Sequence, residues 1–268
     1  MYPYAERLVF GCCSLSANKS KKRAIKILKY AESLGIKEFD TAPLYSKGYS
    51  ELILGEAFKD NKDLNVTTKI GNYDVAKTII PSSIAIPMNN FIKKFKFENK
   101  NISDQISYLK QTTNHDYHFK KQIKSSQKKL NGLNIKGILL HEINPYKIDE
   151  QIIKNLGIFL RNQNIRNLGY AGYMYPEFFE IEIPKWVKIL QLMIPYENNI
   201  YEDKILYLLE KYSNIEFRFF NIFSGINPSS FKINYGKKIL KDFPNTKIIF
   251  QTTSHERLKE NFNFFNSW

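Results

Sequence analysis

Short apolar segments alternate with segments of helical periodicity along most of this chain. The apolar segments are mostly rich in β-branched residues, which is typical of strands that are covered on both faces. Such an alternation restricts the chain to the α/β classes that are built on a parallel sheet. Eight strands are predicted, at residues 7–12, 37–42, 65–70, 135–141, 165–171, 187–194, 215–220 and 246–251.

Helices are predicted in most of the intervals between these strands. Ser20 is suited to the N-cap of the first helix and Gly35 to its C-terminal end, while Ser254 is suited to cap the last helix. Helices are expected at 20–34, 50–59, 116–131, 149–163, 202–213 and 254–265, with weaker signals at 229–242 and only a turn or two at 174–183.

Eight strands, each followed by a crossover, predict one (β/α)8 TIM barrel domain over residues 1–268. A doubly wound open sheet is the structural alternative. That fold usually carries a glycine-rich phosphate loop after its first strand, and GCCSLSANKS at 11–20 is not such a loop. One long loop is expected at about 71–114. It could cover a site on the catalytic face, or it could be an insertion without a role in chemistry.

Composition narrows the cellular setting. No apolar run is long enough to span a bilayer, and the N-terminus lacks the basic region, apolar run and cleavage site of a secretory signal. Cys12 and Cys13 are adjacent, so in a strand they point to opposite faces and are poorly placed to pair. We therefore expect no membrane association, no disulfide framework and a cytoplasmic location.

The net charge of +14 would suit a nucleic-acid or phosphate-rich partner. Lysine supplies nearly all of this charge, however, and the basic segments at 21–29 and 91–97 lack a recognisable nucleic-acid motif. A solvated basic surface is therefore favoured, and no nucleic-acid partner is expected. The histidines at positions 115, 118 and 255 show no metal-ligand spacing, so no metal site is expected.

Four polar residues lie at or just after the C-terminal ends of three consecutive predicted strands: Asp40, Tyr45, Lys69 and His141. Active sites of (β/α)8 barrels are built at that end of the strands. We expect the ammonium group of Lys69 to lower the pKa of Tyr45, and Asp40 to hold Lys69 charged and in place. The phenol could then exchange a proton with a substrate oxygen that the imidazole of His141 orients.

The segments that carry these residues resemble those of the aldo-keto reductase superfamily. LGIKEFDTAPLYSKGYSELILGEAF at 34–58 is similar to the family's strand-two and helix-two signature, with the Asp and Tyr in register. VTTKIG at 66–71 resembles the segment with the active-site Lys, and SSQKKLNGLNIKGILLHEI at 125–143 resembles the stretch that includes the active-site His. IRNLGYAG, LQLMIPYEN and QTTSHERLKEN then follow in the family's order.

The resemblance implies a barrel enzyme that binds NAD(P)H without a glycine-rich motif. It implies hydride transfer between nicotinamide and a carbonyl or alcohol substrate, which could be an aldehyde, a ketone or a sugar. Tyr45 would be the general acid, tuned by Lys69 and Asp40, and His141 would orient the carbonyl. The DTAPLY form of the motif is similar to that of relatives that oxidise or reduce sugars.

The positions that match the family's cofactor contacts are only partly kept. Gln191 matches a residue that binds the nicotinamide amide, and Phe219 aligns best with a ring-stacking tyrosine. Ala171 and Gly172 stand where a Ser-Asn pair usually binds that amide, and neither side chain can do so. A guanidinium near the adenosine end can bind a 2′-phosphate bidentately, so NADP(H) is favoured over NAD(H). The residues that match the family's contacts with the adenosine end of the cofactor are Thr252, Arg257, Glu260 and Asn261.

A second function stays open beside the enzyme. The departure at Ala171 and Gly172 would suit a nucleotide-binding barrel that acts as a sensor or scaffold without significant turnover. The sequence names neither the substrate nor the direction of the reaction, and it leaves the oligomeric state undetermined.

Overall fold

The computed structural model describes residues 3–18, 20–71, 115–193, 201–223 and 230–266. Eight parallel strands close into a barrel in sequence order, and the last strand pairs with the first. The predicted (β/α)8 fold is confirmed, because this closure excludes an open sheet. The strands are β1 (Leu8–Gly11), β2 (Glu38–Asp40), β3 (Asn65–Ile70), β4 (Asn134–His141), β5 (Asn167–Gly172), β6 (Ile189–Met193), β7 (Glu216–Phe220) and β8 (Thr246–Phe250).

A helix follows each strand in the described residues. The helices are α1 (Lys21–Ser33), α2 (Ser50–Ala57), α3 (His115–Leu130), α4 (Glu150–Asn162), α5 (Glu177–Glu180), α6 (Tyr201–Lys211), α7 (Ser230–Asp242) and α8 (His255–Asn266). Ser20 caps α1 as predicted, since its hydroxyl accepts a hydrogen bond from the Arg23 amide. None of the helices described is long and apolar enough to cross a membrane. The loop predicted at 71–114 lies outside the described residues, apart from Gly71.

Charged side chains fill the interior of the barrel where the strands begin. Arg218 donates to Glu216 (Nε to Oε1, 2.7 Å) and to Glu38. Lys136 Nζ lies 2.7 Å from Glu216 Oε2 and 3.3 Å from Glu38 Oε2, and Lys247 also pairs with Glu38. Although burial alone would raise it, the pKa of Glu38 is lowered to about 2 because Arg218 and the two lysines lie beside it. We call these five residues the barrel-floor network.

Two residues of the segment after β2 anchor α2 to the barrel. Ser50 Oγ lies 2.8 Å from Thr41 Oγ1 and donates to the Cys12 carbonyl at 3.0 Å. Glu51 Oε1 accepts a hydrogen bond from Thr68 Oγ1 at 2.7 Å. Ser50 and Glu51 are completely buried, so these bonds satisfy polar groups that water does not reach. They hold the start of α2 against β1, β2 and β3.

Gly55 lets α2 pack closely against α3. A Cβ at position 55 would lie 2.1 Å from the Lys129 carbonyl oxygen and 2.9 Å from the Leu130 carbonyl carbon. Only a glycine allows the two backbones to approach this closely. Lys129 Nζ also lies 3.6 Å from the buried carboxylate of Glu51, which joins the two helices a second time.

Candidate active site

Lys69 and Asp40 form a buried ion pair where β3 and β2 end. Lys69 Nζ lies 2.8 and 2.7 Å from the two oxygens of Asp40 and donates to the Thr41 carbonyl at 2.9 Å. The two side chains are only 1% and 4% exposed. They meet because Asp40 pairs in register with Thr67, two residues before Lys69, so both side chains point into the barrel. These acceptors hold the ammonium group in a fixed position.

Tyr45 lies next to this pair in a strained loop. The centre of its ring is 4.6 Å from Lys69 Nζ and 6.0 Å from the centre of the His141 ring, with the two rings nearly perpendicular. The two residues after Tyr45 have left-handed backbones, with φ of 54° and 56°. The first of them, Ser46, accepts a hydrogen bond from the Ser16 amide at 2.9 Å. Backbone strain of this kind clusters at functional sites.

The pKa of Tyr45 corrects one expectation from the sequence. Burial and the nearby carboxylate of Asp40 raise the pKa of this phenol well above its usual value. The sequence predicted a lowered pKa because of Lys69. In the structure Asp40 binds Lys69 with both of its oxygens, which offsets the field of the ammonium group at the phenol. Tyr45 is thus protonated at neutral pH, as an unperturbed tyrosine also is, and the raised pKa makes it a weaker acid.

His141 is the last residue of β4 and brings a neutral imidazole to the cluster. Burial, and then the positive charge of Lys69, lower the pKa of His141 to about 3. A neutral imidazole has one N–H donor and one acceptor nitrogen. His141 can therefore donate a hydrogen bond to a substrate oxygen without carrying a charge. The structure thus brings together the four residues that the sequence singled out.

A cleft of about 430 Å³ begins at Asp40 and Tyr45 and runs over the ends of β6, β7 and β8. Gln191 lines this cleft and is 3% exposed, and its Oε1 has no hydrogen-bond partner among the described residues. A buried amide oxygen without a partner is costly, so this atom is suited to a donor on a ligand. The cleft is lined by Gly11, Cys13, Asp40, Tyr45, Gln191, Phe220, Asn221, Ile222, Phe223, Ile249, Phe250 and Gln251.

The aromatic residue of β7 that borders the cleft is Phe220. Side chains alternate along a strand, and Arg218 points into the barrel, where it bonds Thr67 and Glu38. Phe219 consequently faces the helix layer, is completely buried and does not line the cleft. Phe220 points to the same side as Arg218 and lines the cleft. Phe219, which the sequence predicted to stack on a ring, is therefore not placed to do so in this cleft, whereas Phe220 borders it.

The other cofactor positions do not line this cleft. Ala171 is buried among apolar neighbours, and Gly172 has no side chain, so neither offers a polar group there. At the start of α8, Thr252 Oγ1 accepts a hydrogen bond from the Ser254 amide at 3.1 Å, and Ser254 Oγ accepts one from the Arg257 amide at 3.3 Å. Arg257 and Glu260 are exposed and Asn261 is half-buried. The roles of these residues stay predictions.

Sequence reasoning missed most residues that line the cleft or lie beside it, and three of them lie at strand ends. Cys13 and Phe220 line the cleft, and Glu142 directly follows His141. Their common signal is position, because each lies where a strand ends at the catalytic face. As for metals, no group of three or more His, Cys, Asp or Glu in the described ranges could hold an ion.

Comparison with known proteins identifies the family. A sequence model of the aldo/keto reductase family matches residues 7–225, a range that includes all four residues of the cluster. The chain belongs to this family. Among the curated members that it matches is a Saccharomyces cerevisiae protein with the provisional name aryl-alcohol dehydrogenase AAD16, which is 24% identical over 182 residues. That alignment covers 65% of this chain and 50% of the yeast protein, so the chain spans about half the length of this relative.

Solved structures of aldo-keto reductases share the barrel. The holo form of AKR11C1 from Bacillus halodurans is 15% identical, with a TM-score of 0.67 over 98% of this chain and 87% of that one. An aldo-keto reductase from Klebsiella pneumoniae in complex with NADPH is 12% identical, with a TM-score of 0.63 over 97% of this chain and 85% of that one. At these identities the likeness shows the fold alone.

Proposed function

We propose that this member of the aldo/keto reductase family transfers a hydride between NAD(P)H and a carbonyl or alcohol substrate, with Tyr45 as the general acid and base. The substrate would be an aldehyde, a ketone or a sugar. The observation that carries the proposal is the cluster of Asp40, Lys69, Tyr45 and His141. Two of its members, Asp40 and Tyr45, line the cleft. The family match supports the same reaction class.

The side chains of the cluster divide the proton chemistry among them. A bound nicotinamide would supply the hydride during reduction. Tyr45, which burial keeps protonated, donates a proton to the substrate oxygen. His141 donates a hydrogen bond to that oxygen and orients it. Lys69 Nζ lies 4.6 Å from the centre of the Tyr45 ring, so its charge would offset part of the cost that burial and Asp40 place on the phenolate left after proton transfer.

The cleft residues fit a nicotinamide cofactor. Gln191 has a buried Oε1 without a partner, which is suited to the N–H of a carboxamide. Phe220 takes the stacking role that the sequence assigned to Phe219. We favour NADP(H) over NAD(H) because the guanidinium of Arg257 suits a 2′-phosphate. Thr252, Glu260 and Asn261 would contact the adenosine end beside it. The Klebsiella pneumoniae relative, solved with NADPH, supports this cofactor class.

A second candidate is a nucleotide-binding barrel without significant turnover. The observation that favours it is the loss of polar side chains at Ala171 and Gly172. Fluorescence titration with NADPH and NADH, together with turnover assays on aldehydes, ketones and sugars, separates the two candidates. Binding without turnover would favour the second candidate, and binding of neither nucleotide would contradict both.

Tyr45→Phe tests the role of the phenol directly. We expect the variant to lose about 10²–10⁴-fold in kcat, because it lacks the proton donor, while NADPH affinity stays unchanged. Tyr207→Phe is the matched control, since Tyr207 lies exposed on α6 and its variant should keep full activity. A fully active Tyr45→Phe would refute the mechanism.

A further inference from the structure

Glu142 has a strained backbone next to the catalytic cluster. It directly follows His141 and has a φ of 60°, in the left-handed region that non-glycine residues rarely adopt. Two hydrogen bonds hold it there: its amide donates to the Ala171 carbonyl at 2.8 Å, and its carbonyl accepts from Tyr175 Oη at 3.3 Å. Glycine would adopt this conformation without strain. Because this strained residue also lies directly after His141, its side chain is a candidate for a functional role.

Glu142 and the Tyr170 hydroxyl pack together against Gly172. A Cβ at position 172 would lie 3.1 Å from both Cα and Cγ of Glu142, and 2.6 Å from Tyr170 Oη. A larger residue at position 172 would therefore displace the glutamate. The position of Glu142 after β4 therefore depends on a glycine at the end of β5.

The carboxylate of Glu142 is available to a ligand. It is half-buried, and no hydrogen bond or ion pair to it exists within the part of the chain that the structure describes. Glu142 directly follows His141, whose ring centre lies 6.0 Å from that of Tyr45, so it belongs to the same rim of the barrel as the reacting groups. Burial raises the pKa of its carboxylate. A partly desolvated carboxylate without a partner gains from any hydrogen-bond donor that reaches it.

We propose that Glu142 determines substrate specificity: it accepts a hydrogen bond from a hydroxyl group close to the reacting carbonyl, so the enzyme prefers hydroxylated carbonyl compounds. This inference rests on the proposed function and narrows its substrate class. A hydroxyl donor satisfies the carboxylate, whereas an alkyl group leaves it without a partner. A substrate with an anionic group at the same place is repelled by the like charge.

Three small ketones that share a methyl ketone group test the proposal. Hydroxyacetone carries a hydroxyl beside the carbonyl, 2-butanone carries a methyl group in its place, and pyruvate carries a carboxylate. With NADPH, the wild-type protein should show its highest kcat/KM with hydroxyacetone and its lowest with pyruvate. The ratio of kcat/KM for hydroxyacetone to that for butanone measures the hydrogen bond, and the ratio for pyruvate to butanone measures the repulsion.

Two variants separate the acceptor from the charge. Glu142→Gly suits the left-handed backbone and removes the acceptor, so the hydroxyacetone-to-butanone ratio should fall about tenfold. Glu142→Gln keeps an acceptor oxygen and removes the charge, so pyruvate should gain relative to butanone. Asn164→Gly is the control, because Asn164 is exposed with a φ of 58° and lies before β5, at the opposite end of the barrel. It should change neither ratio.

The outcomes distinguish this inference from the function on which it rests. A wild-type protein without a preference for hydroxyacetone, or ratios that both Glu142 variants leave unchanged, would overturn the role of Glu142 alone. A loss of NADPH affinity in Glu142→Gln without any change in the ratios would assign the residue to the cofactor instead. A wild-type protein that reduces no carbonyl compound with NADPH would overturn the proposed function, and this inference with it.

Discussion

Glu38 offers a direct test of the barrel-floor network, because Arg218, Lys136 and Lys247 all contact its carboxylate. Glu38→Gln would remove the charge and leave Glu216 alone beside these cations. The pKa of Glu38 is lowered from 4.5 to about 2, and each unit corresponds to about 1.4 kcal/mol. The ionised carboxylate therefore contributes about 3 kcal/mol to the free energy of unfolding at neutral pH, and the variant should lose that amount.

The same pKa predicts how this loss depends on pH. The folded-state pKa of Glu38 is below the unfolded value, so the contribution is complete above pH 4.5 and disappears as the pH falls toward 2. The difference between wild type and Glu38→Gln should therefore shrink over this interval. Urea unfolding, followed by tryptophan fluorescence and circular dichroism at several pH values, measures the difference.

Glu56→Gln is the matched control for this experiment. Glu56 pairs with Lys21 at 2.9 Å on the surface, where the two side chains are 51% and 27% exposed. Removing an exposed pair of this kind should cost less than about 1 kcal/mol. If Glu38→Gln is as stable as Glu56→Gln at pH 7, or if its deficit persists unchanged at low pH, the electrostatic account of the barrel floor is wrong.

Two further predictions concern the helix contact and the imidazole. Gly55→Ala should destabilise the fold by about 1–3 kcal/mol, because its Cβ would meet the Lys129 carbonyl oxygen at 2.1 Å. At Gly157 in α4, an added Cβ would lie 3.7 Å from its nearest neighbour, so Gly157→Ala should instead stabilise the fold by up to about 1 kcal/mol. Thermal melts of both variants measure these changes. The pKa of His141 is lowered to about 3, so its imidazole is neutral above that pH. The pH profile of kcat/KM should therefore show no change due to the ionisation of this histidine between about pH 5 and 8. A change in kcat/KM over that pH range that disappears in His141→Asn would contradict the neutral imidazole.

The strands and the catalytic cluster could be predicted because their signals are local. Short apolar runs locate β1 to β8, and Asp40, Lys69 and His141 lie within or at the end of such runs. Tyr45 could be predicted from the DTAPLY motif in which it lies. The direction of its pKa shift could not be predicted, because it depends on how deeply the phenol is buried and how close Asp40 lies in three dimensions.

The barrel interior was harder to predict from the sequence. Phe219 and Phe220 are the same residue type, so the pattern alone does not tell which one points inward. The answer depends on Arg218, whose partners Thr67 and Glu38 lie 151 and 180 residues away along the chain. Charged residues within predicted strands did signal a polar interior, but lysine is so frequent in this chain that the signal was not distinctive.

The close contact between α2 and α3 has a consequence for the segment between β3 and α3. Gly71 donates its amide to Gln122 Oε1 at 3.0 Å, and Lys129 lies against α2, so the barrel itself fixes both points where this segment attaches. The entropy of closing a loop grows only with the logarithm of its length. A change in the length of the connection at 72–114 should therefore cost little free energy of unfolding while Lys69 stays paired with Asp40. The ion pair of Lys69 and Asp40 thus depends on contacts within the barrel, and not on the length of the connection that follows β3.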